Sequence, residues 1–149
     1  LAFIALIAMV NGMLEAGGAW VGIEQLTLER VLGGLLQPLA WALGIPWDEA
    51  QLAGSLIGQK FILNEFVAYV TFSEVAAQLS PHSQAIVIFA LCGFANLSSI
   101  AILLGGLGAV APGRRDDISR YGFRALIAAS LSNLMSAALA GFFLTLGSA

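Results

Sequence analysis

The 149-residue chain carries only six Lys and Arg and nine Asp and Glu, while 59% of its residues are hydrophobic and its mean hydropathy is +0.91. Charged residues make up 10% of the chain, against about 25% in an ordinary soluble domain, too few to cover a water-facing surface of this size. A net charge of −3 excludes a basic nucleic-acid binder, a single cysteine excludes a disulfide scaffold, and the apolar content excludes a disordered segment. What remains is an integral membrane protein, and the helix-length segments read below make the expected fold all-α.

Residues 1–14 have the apolar character of a signal-peptide core, but no basic segment precedes them and no clean small-residue cleavage site follows. They are read as the end of a membrane span that starts outside this chain, so the sequence is expected to be part of a longer protein. That span reaches residue 22, with Glu15 and Gly17-Gly18 as interruptions and Trp20 as an interfacial aromatic. In Glu24–Leu43, Gln25, Glu29, Gly33 and Gln37 recur every four residues, opposite Leu26, Leu28, Leu32, Leu35, Leu36 and Leu39. This amphipathic pattern predicts a helix lying in the membrane interface, with a span bent at Pro38 as the alternative.

Two helix-like stretches follow, Asp48–Gln59 and Asn64–Gln78, with Lys60-Phe61-Ile62-Leu63 between them. At 1.5 Å per residue each is about 18–22 Å long, too short to cross a hydrocarbon core of about 30 Å. Asp48 and Glu49 after Pro46 suit a helix start. Together the two stretches predict a re-entrant hairpin that enters and leaves on one side; a single mid-length hydrophobic helix is the alternative. Ser83–Gly113 and Ala125–Ala149 carry no charge and are long enough to span. Arg114, Arg115, Arg120 and Arg124 cluster between these two, which places that loop in the cytoplasm and the hairpin mouth and carboxyl end outside.

Polar groups at membrane depth mark the candidate chemistry. At the hairpin turn stand Gln59, Lys60, Asn64 and Glu65; a Lys60–Glu65 pair would hold the hairpin closed, whereas a free carboxylate would accept hydrogen bonds from a hydroxyl-rich ligand. Gly93 to Ser99 combines Gly, Asn and two Ser, poor helix formers that predict a broken span, with interhelical hydrogen bonding as the plainer reading. Ala129, Asn133, Ala137 and Gly141 fall at fourfold spacing and read as a packing seam. Cys92 is read as a small buried hydrophobe, and the lone His82 offers no metal site. No G-x-S-x-G elbow, phosphate loop or Glu-x-x-His arrangement occurs, so no enzyme is expected.

These residues are familiar in combination. Gly58-Gln59-Lys60 with Asn64-Glu65-Phe66-Val67-Ala68, then Cys92-Gly93-Phe94-Ala95-Asn96 with Ser98-Ser99-Ile100, resembles the concentrative nucleoside transporters, the bacterial branch most closely. Ser130-Leu131-Ser132-Asn133-Leu134-Met135-Ser136-Ala137 resembles their final span. The resemblance implies the carboxyl-terminal half of an inverted-repeat transporter in the inner membrane. Residues 1–22 would be a scaffold helix, 24–43 an interfacial helix, 47–78 a re-entrant hairpin, 83–112 a broken span and 116–149 the last span, with 24–149 forming one transport-domain repeat. It further implies Glu65 and Asn96 as ligands of the ribose hydroxyls, Ser99 as a further polar contact and Phe94 as a ring near the nucleobase. The substrate would be a nucleoside such as uridine, moved by an elevator motion in a homotrimer. No cofactor is expected; a coupling sodium ion would be held by residues outside this chain, and the amino-terminal half of the same protein and the lipid bilayer would be its partners. The alternative is a non-transporting membrane subunit whose polar residues only hold helices together.

Overall fold

The computed structural model describes residues 2–23 and 26–147, which form helices joined by short turns, with no strand among them. In chain order these are α1 (Ala2–Val21), α2 (Leu28–Ala42), α3 (Trp47–Ile62), α4 (Glu65–Val75), α5 (Pro81–Leu91), α6 (Leu97–Val110) and α7 (Arg115–Gly147). Single 3-10 turns at Ala76–Gln78 and Pro112–Arg114 lead out of α4 and into α7.

Helix α1 runs through Glu15 and Gly17-Gly18 without the expected interruption. Gly18 instead admits the returning chain: a Cβ there would stand 2.6 Å from the Ile23 carbonyl oxygen and 2.9 Å from Leu26 Cβ. Asn11 then fixes the start of α2. Its Oδ1 accepts from the Leu28 N–H at 2.8 Å and its Nδ2 donates to Glu29 Oε2 at 3.1 Å, while Thr27 caps the helix by accepting from the Arg30 N–H.

The polar stripe of α2 faces protein. Gln25 lies outside the described residues; of the rest, Glu29 meets Asn11, Gly33 is buried, and the Gln37 Nε2 donates to the Trp47 carbonyl at 3.1 Å. Outward instead point Leu35, 71% exposed, and Trp41. Leu32, Leu36 and Leu39 pack inward as well, so α2 turns both polar and apolar residues to protein, the arrangement expected where the surroundings are apolar and polar groups must find partners inside. The contact with α3 is made backbone to backbone. A Cβ on Gly54 would lie 2.9 Å from the Leu36 carbonyl carbon, one on Gly58 2.7 Å from Leu32 Cβ, and one on Gly33 2.8 Å from the Gln51 carbonyl oxygen. Gly54-x-x-x-Gly58 is thus a small-residue seam, and any larger side chain there would force the helices apart. The reversal between the two helices is made by Gly44 at φ +102°, where only glycine sits without strain.

The break predicted over Lys60–Leu63 is shorter than that. Lys60, Phe61 and Ile62 continue α3, none of them being a helix breaker, and the chain reverses at Leu63 and Asn64 alone. The uncharged run from Ser83 is two helices, α5 and α6, of 11 and 14 residues, about 16 and 21 Å long, so neither crosses by itself. Helix α7, from Pro112 with its leading turn to Gly147, is the one described helix long and apolar enough to cross a membrane by itself. Its seam holds as a packing surface: Ala137 is fully buried, a Cβ on Gly141 would lie 2.7 Å from Ile86 Cδ1, and Asn133 bonds to α5. Ala129, one turn earlier, is exposed. The core between α2, α3, α5 and α7 is built on Ile45, Leu56, Ile57, Ile86, Val87 and Leu91, none of which has exposed surface.

Candidate functional site

Two helix starts meet at the centre of the predicted constellation. Asn64 and Asn96 each adopt an extended backbone and cap the helix that follows: the Asn64 Oδ1 accepts from the Val67 N–H at 2.9 Å and the Asn96 Oδ1 from the Ser99 N–H at 2.9 Å. Asparagine does this because its short side chain reaches back to the unpaired amides of a first turn. At α6 the cap is reciprocal, since the Asn96 N–H donates to Ser99 Oγ at 3.1 Å. Glu65, the first residue of α4, therefore has its carboxylate at the positive end of one helix, beside the start of another.

Across this junction the Asn96 Nδ2 donates to Glu65 Oε2 at 3.3 Å, joining the hairpin to the broken span. Ser98 tightens the same corner, its Oγ lying 2.6 Å from Asn96 Oδ1 and 3.4 Å from the Leu63 carbonyl. Asn96 is only 5% exposed, while Glu65 and Ser99 are half-buried. Capacity is left over. Among the described residues the second carboxylate oxygen of Glu65 has no partner, one N–H of the Asn96 amide has none, and the Ser99 hydroxyl, which donates to the Asn96 carbonyl, keeps an unused lone pair. Acceptors and a donor side by side, one of them a carboxyl group, match a pair of neighbouring hydroxyls. Phe94 stands apart from this network with its ring 75% exposed, on the rim of an apolar cleft of about 370 Å³ that also touches Ser99.

Lys60 does not pair with Glu65. It lies in the last turn of α3, wholly buried, with its Nζ 4.7 Å from the centre of the Phe61 ring and without a hydrogen bond. Glu65 spends its contact on Asn96 instead. Gln59 is also buried; its Oε1 accepts from Thr71 Oγ1 at 2.9 Å, so α3 and α4 are tied across the hairpin, while its Nε2 has no partner.

The break itself depends on Asn133, which the sequence placed in the packing seam and marked as a hydrogen-bond partner without naming its acceptor. Its Nδ2 donates to the Phe89 and Ala90 carbonyls at 3.0 and 2.7 Å, satisfying the last turn of α5 where the helix stops. The Gly93 backbone then passes so close that a Cβ there would fall 2.1 Å from Asn133 Oδ1. Cys92 is exposed at this corner, not buried, because it closes α5 just before the break, and its Sγ lies 3.2 Å from the Tyr69 hydroxyl. Tyr69 in turn donates to the Ile88 carbonyl at 2.9 Å and fastens α4 to α5. Thr71 and Tyr69 lacked a sequence signal, since a hydroxyl in an apolar helix reads the same whether or not it reaches a neighbour.

The chain matches the family described as Na+ dependent nucleoside transporter C-terminus over residues 1–141. It is 54% identical to an uncharacterized transporter, YutK, of Bacillus subtilis, covering 97% of this chain and 36% of that protein. It is 47% identical to the nucleoside permease NupC of Helicobacter pylori, covering 98% and 36%, and 36% identical to sodium/nucleoside cotransporter 1 of Rattus norvegicus, covering 95% and 24%. The chain thus spans about a third or less of these relatives' length. Among solved structures it is similar to CNTnw in an inward-facing substrate-bound state, with a TM-score of 0.93 at 57% identity over 99% of this chain and 37% of the other. A variant of CNTnw in an outward-facing state gives 0.92 at 56% identity over 98% and 37%. The chain belongs to the Na+-dependent nucleoside transporter family and corresponds to its C-terminal region.

Proposed function

We propose that this chain is the carboxyl-terminal part of a sodium-coupled nucleoside symporter of the inner membrane and supplies the ribose side of its substrate site. The observation that carries the reading is the meeting of Glu65 and Asn96 at 3.3 Å, on two separate elements and at two helix starts. Glu65 accepts from the ribose hydroxyls, Asn96 donates and accepts beside it, Ser99 adds a contact, and the exposed ring of Phe94 faces the base. A nucleoside entering here takes over hydrogen-bonding capacity that these groups hold unused.

In this reading 1–22 belongs to a scaffold, and 24–149 is one repeat of a transport domain with an interfacial helix, a re-entrant hairpin over 47–78, a broken span over 83–112 and a last span over 116–149. The similarity to inward- and outward-facing structures of one transporter is nearly equal, at 0.93 and 0.92. That equality supports a motion in which the unit travels as a body, an elevator, in place of one that remodels it. The loop from Arg114 to Arg124 faces the cytoplasm and the hairpin mouth and carboxyl end face outward. The protein assembles as a homotrimer, and its sodium ligands lie on the amino-terminal half, outside this chain. The relatives are named as transporters and a permease, in keeping with a role in transport and not in catalysis.

Uptake of labelled uridine by vesicles carrying the full-length protein tests this reading. An inward sodium gradient is expected to drive accumulation above equilibrium, and collapse of that gradient to abolish it. Equal uptake with and without the gradient would overturn the coupling, and no uridine-dependent thermal stabilisation would favour a non-transporting subunit.

A further inference from the structure

The four arginines between α6 and α7 are not equivalent. Arg114 is paired with Asp117, and Arg115 lies back against α6, its Nε 2.7 Å from where a Cβ on Gly108 would stand. Arg120 and Arg124 are exposed, one helical turn apart on α7, and neither has a carboxylate partner among the described residues. Arg120 rests its guanidinium 5.8 Å from the Tyr121 ring centre. Two guanidinium groups on one face, without a carboxylate partner among the described residues, make a site for a phosphate-bearing anion.

Below them on α7 the surface turns apolar and concave. A groove of about 360 Å³ has Phe123, Ile127, Leu131 and Leu134 along its α7 wall, with Phe61 and Leu97 opposite. From Arg124 to Leu134 the helix rises about 15 Å, half the roughly 30 Å hydrocarbon core and so the depth of one leaflet. The groove therefore begins where the arginines end and has the length of an acyl chain's path through a single leaflet.

We propose that Arg120, Arg124 and this groove form a binding site for an anionic phospholipid, the phosphate on the two guanidinium groups and one acyl chain along Phe123, Ile127 and Leu131. Charge complementarity selects an anionic headgroup, and the apolar groove selects a lipid over a soluble phosphate. The site rests on the membrane placement proposed above but is separate from the substrate residues, and it takes a lipid whichever nucleoside is carried.

The test is native mass spectrometry of the full-length transporter in mild detergent with added phosphatidylglycerol, phosphatidylcholine or glycerol 3-phosphate. The wild type is expected to hold phosphatidylglycerol about thirtyfold more tightly than phosphatidylcholine, from two arginines near the headgroup. The R120Q/R124Q double variant should lose that preference, and Leu131→Trp, which fills the groove, should weaken both lipids alike. An undiminished preference in R120Q/R124Q overturns the proposal. So do wild-type affinities for both lipids in Leu131→Trp, the result if another part of the polypeptide covers the groove, and so does displacement of the lipid by glycerol 3-phosphate. Uridine uptake by the same wild-type preparation reads the transport function separately, so failure of one does not pass for failure of the other.

Discussion

Asn96 performs two tasks, and two substitutions separate them. Its Oδ1 caps α6 through the Ser99 N–H, and its Nδ2 donates to the Glu65 carboxylate. Loss of an asparagine cap costs about 1 kcal/mol of stability, whereas loss of a hydrogen bond to a charged group costs about 1.5–3 kcal/mol. Asn96→Ala removes both. Asn96→Ser keeps a capping oxygen but has no amide to reach Glu65. Isothermal titration of uridine into the purified full-length transporter should show both variants weakened by about tenfold to a hundredfold. Thermal unfolding of the same samples without ligand should show a clear drop for Asn96→Ala and a smaller one for Asn96→Ser. If Asn96→Ser binds uridine as the wild type does, Asn96 is a cap and no ligand; if Asn96→Ala unfolds at the wild-type temperature, the cap carries no weight.

Glu65→Gln keeps the shape and the bond from Asn96 but removes the charge, and uridine affinity should fall at least about tenfold, since charge-assisted bonds are roughly twice as strong as neutral ones. Wild-type affinity by titration would reject the ribose assignment. Gly93→Ala places a methyl group 2.1 Å from Asn133 Oδ1 and should destabilise the fold by about 1–3 kcal/mol. Combining it with Asn133→Ala should recover part of the lost unfolding temperature, and an unchanged temperature in the single variant would count against the close approach. Lys60→Met replaces a buried, unbonded ammonium by a side chain of similar length. Its unfolding temperature should rise, because an unpaired buried charge costs several kcal/mol; a fall would mean that the ammonium has an acceptor.

Some of this was readable from residue types alone. Gly93, Asn96, Ser98 and Ser99 announced the break because each is a poor helix former, and Asn96 doubles as a cap for the same reason it disfavours the helix interior. Family resemblance singled out Glu65 and Asn96 together, and the structure brings them into contact. The polar repeat of α2 did not reveal its partners, because a polar face reads the same whether water or protein lies against it. Here Glu29 and Gln37 find partners within the chain and Leu35 faces outward. The turn of the hairpin was placed too early, since the polar Lys60 was read into the turn, whereas Lys60, Phe61 and Ile62 hold no signal to stop a helix. Asn133 was legible as a hydrogen-bonding residue, but its acceptors were not, because they stand more than 40 positions earlier in the chain.

The two arms of the hairpin are unequal in stiffness. Helix α3 is meshed with α2 at Gly54 and Gly58, so bending it would mean prying two backbones apart. Helix α4 has one buried residue, Ala68; Tyr69, Phe72 and Val75 pack against the core only part-buried, and two hydroxyl links, Thr71 to Gln59 and Tyr69 to Ile88, tie it to its neighbours. Under load the hairpin behaves as a lever with one clamped arm and one sprung arm, and Glu65 is at the tip of the sprung one. The 3.3 Å separation between Glu65 and Asn96 is then a gauge. It lengthens when α4 flexes, and a reporter placed across it would register the hairpin's movement before any larger displacement of the molecule.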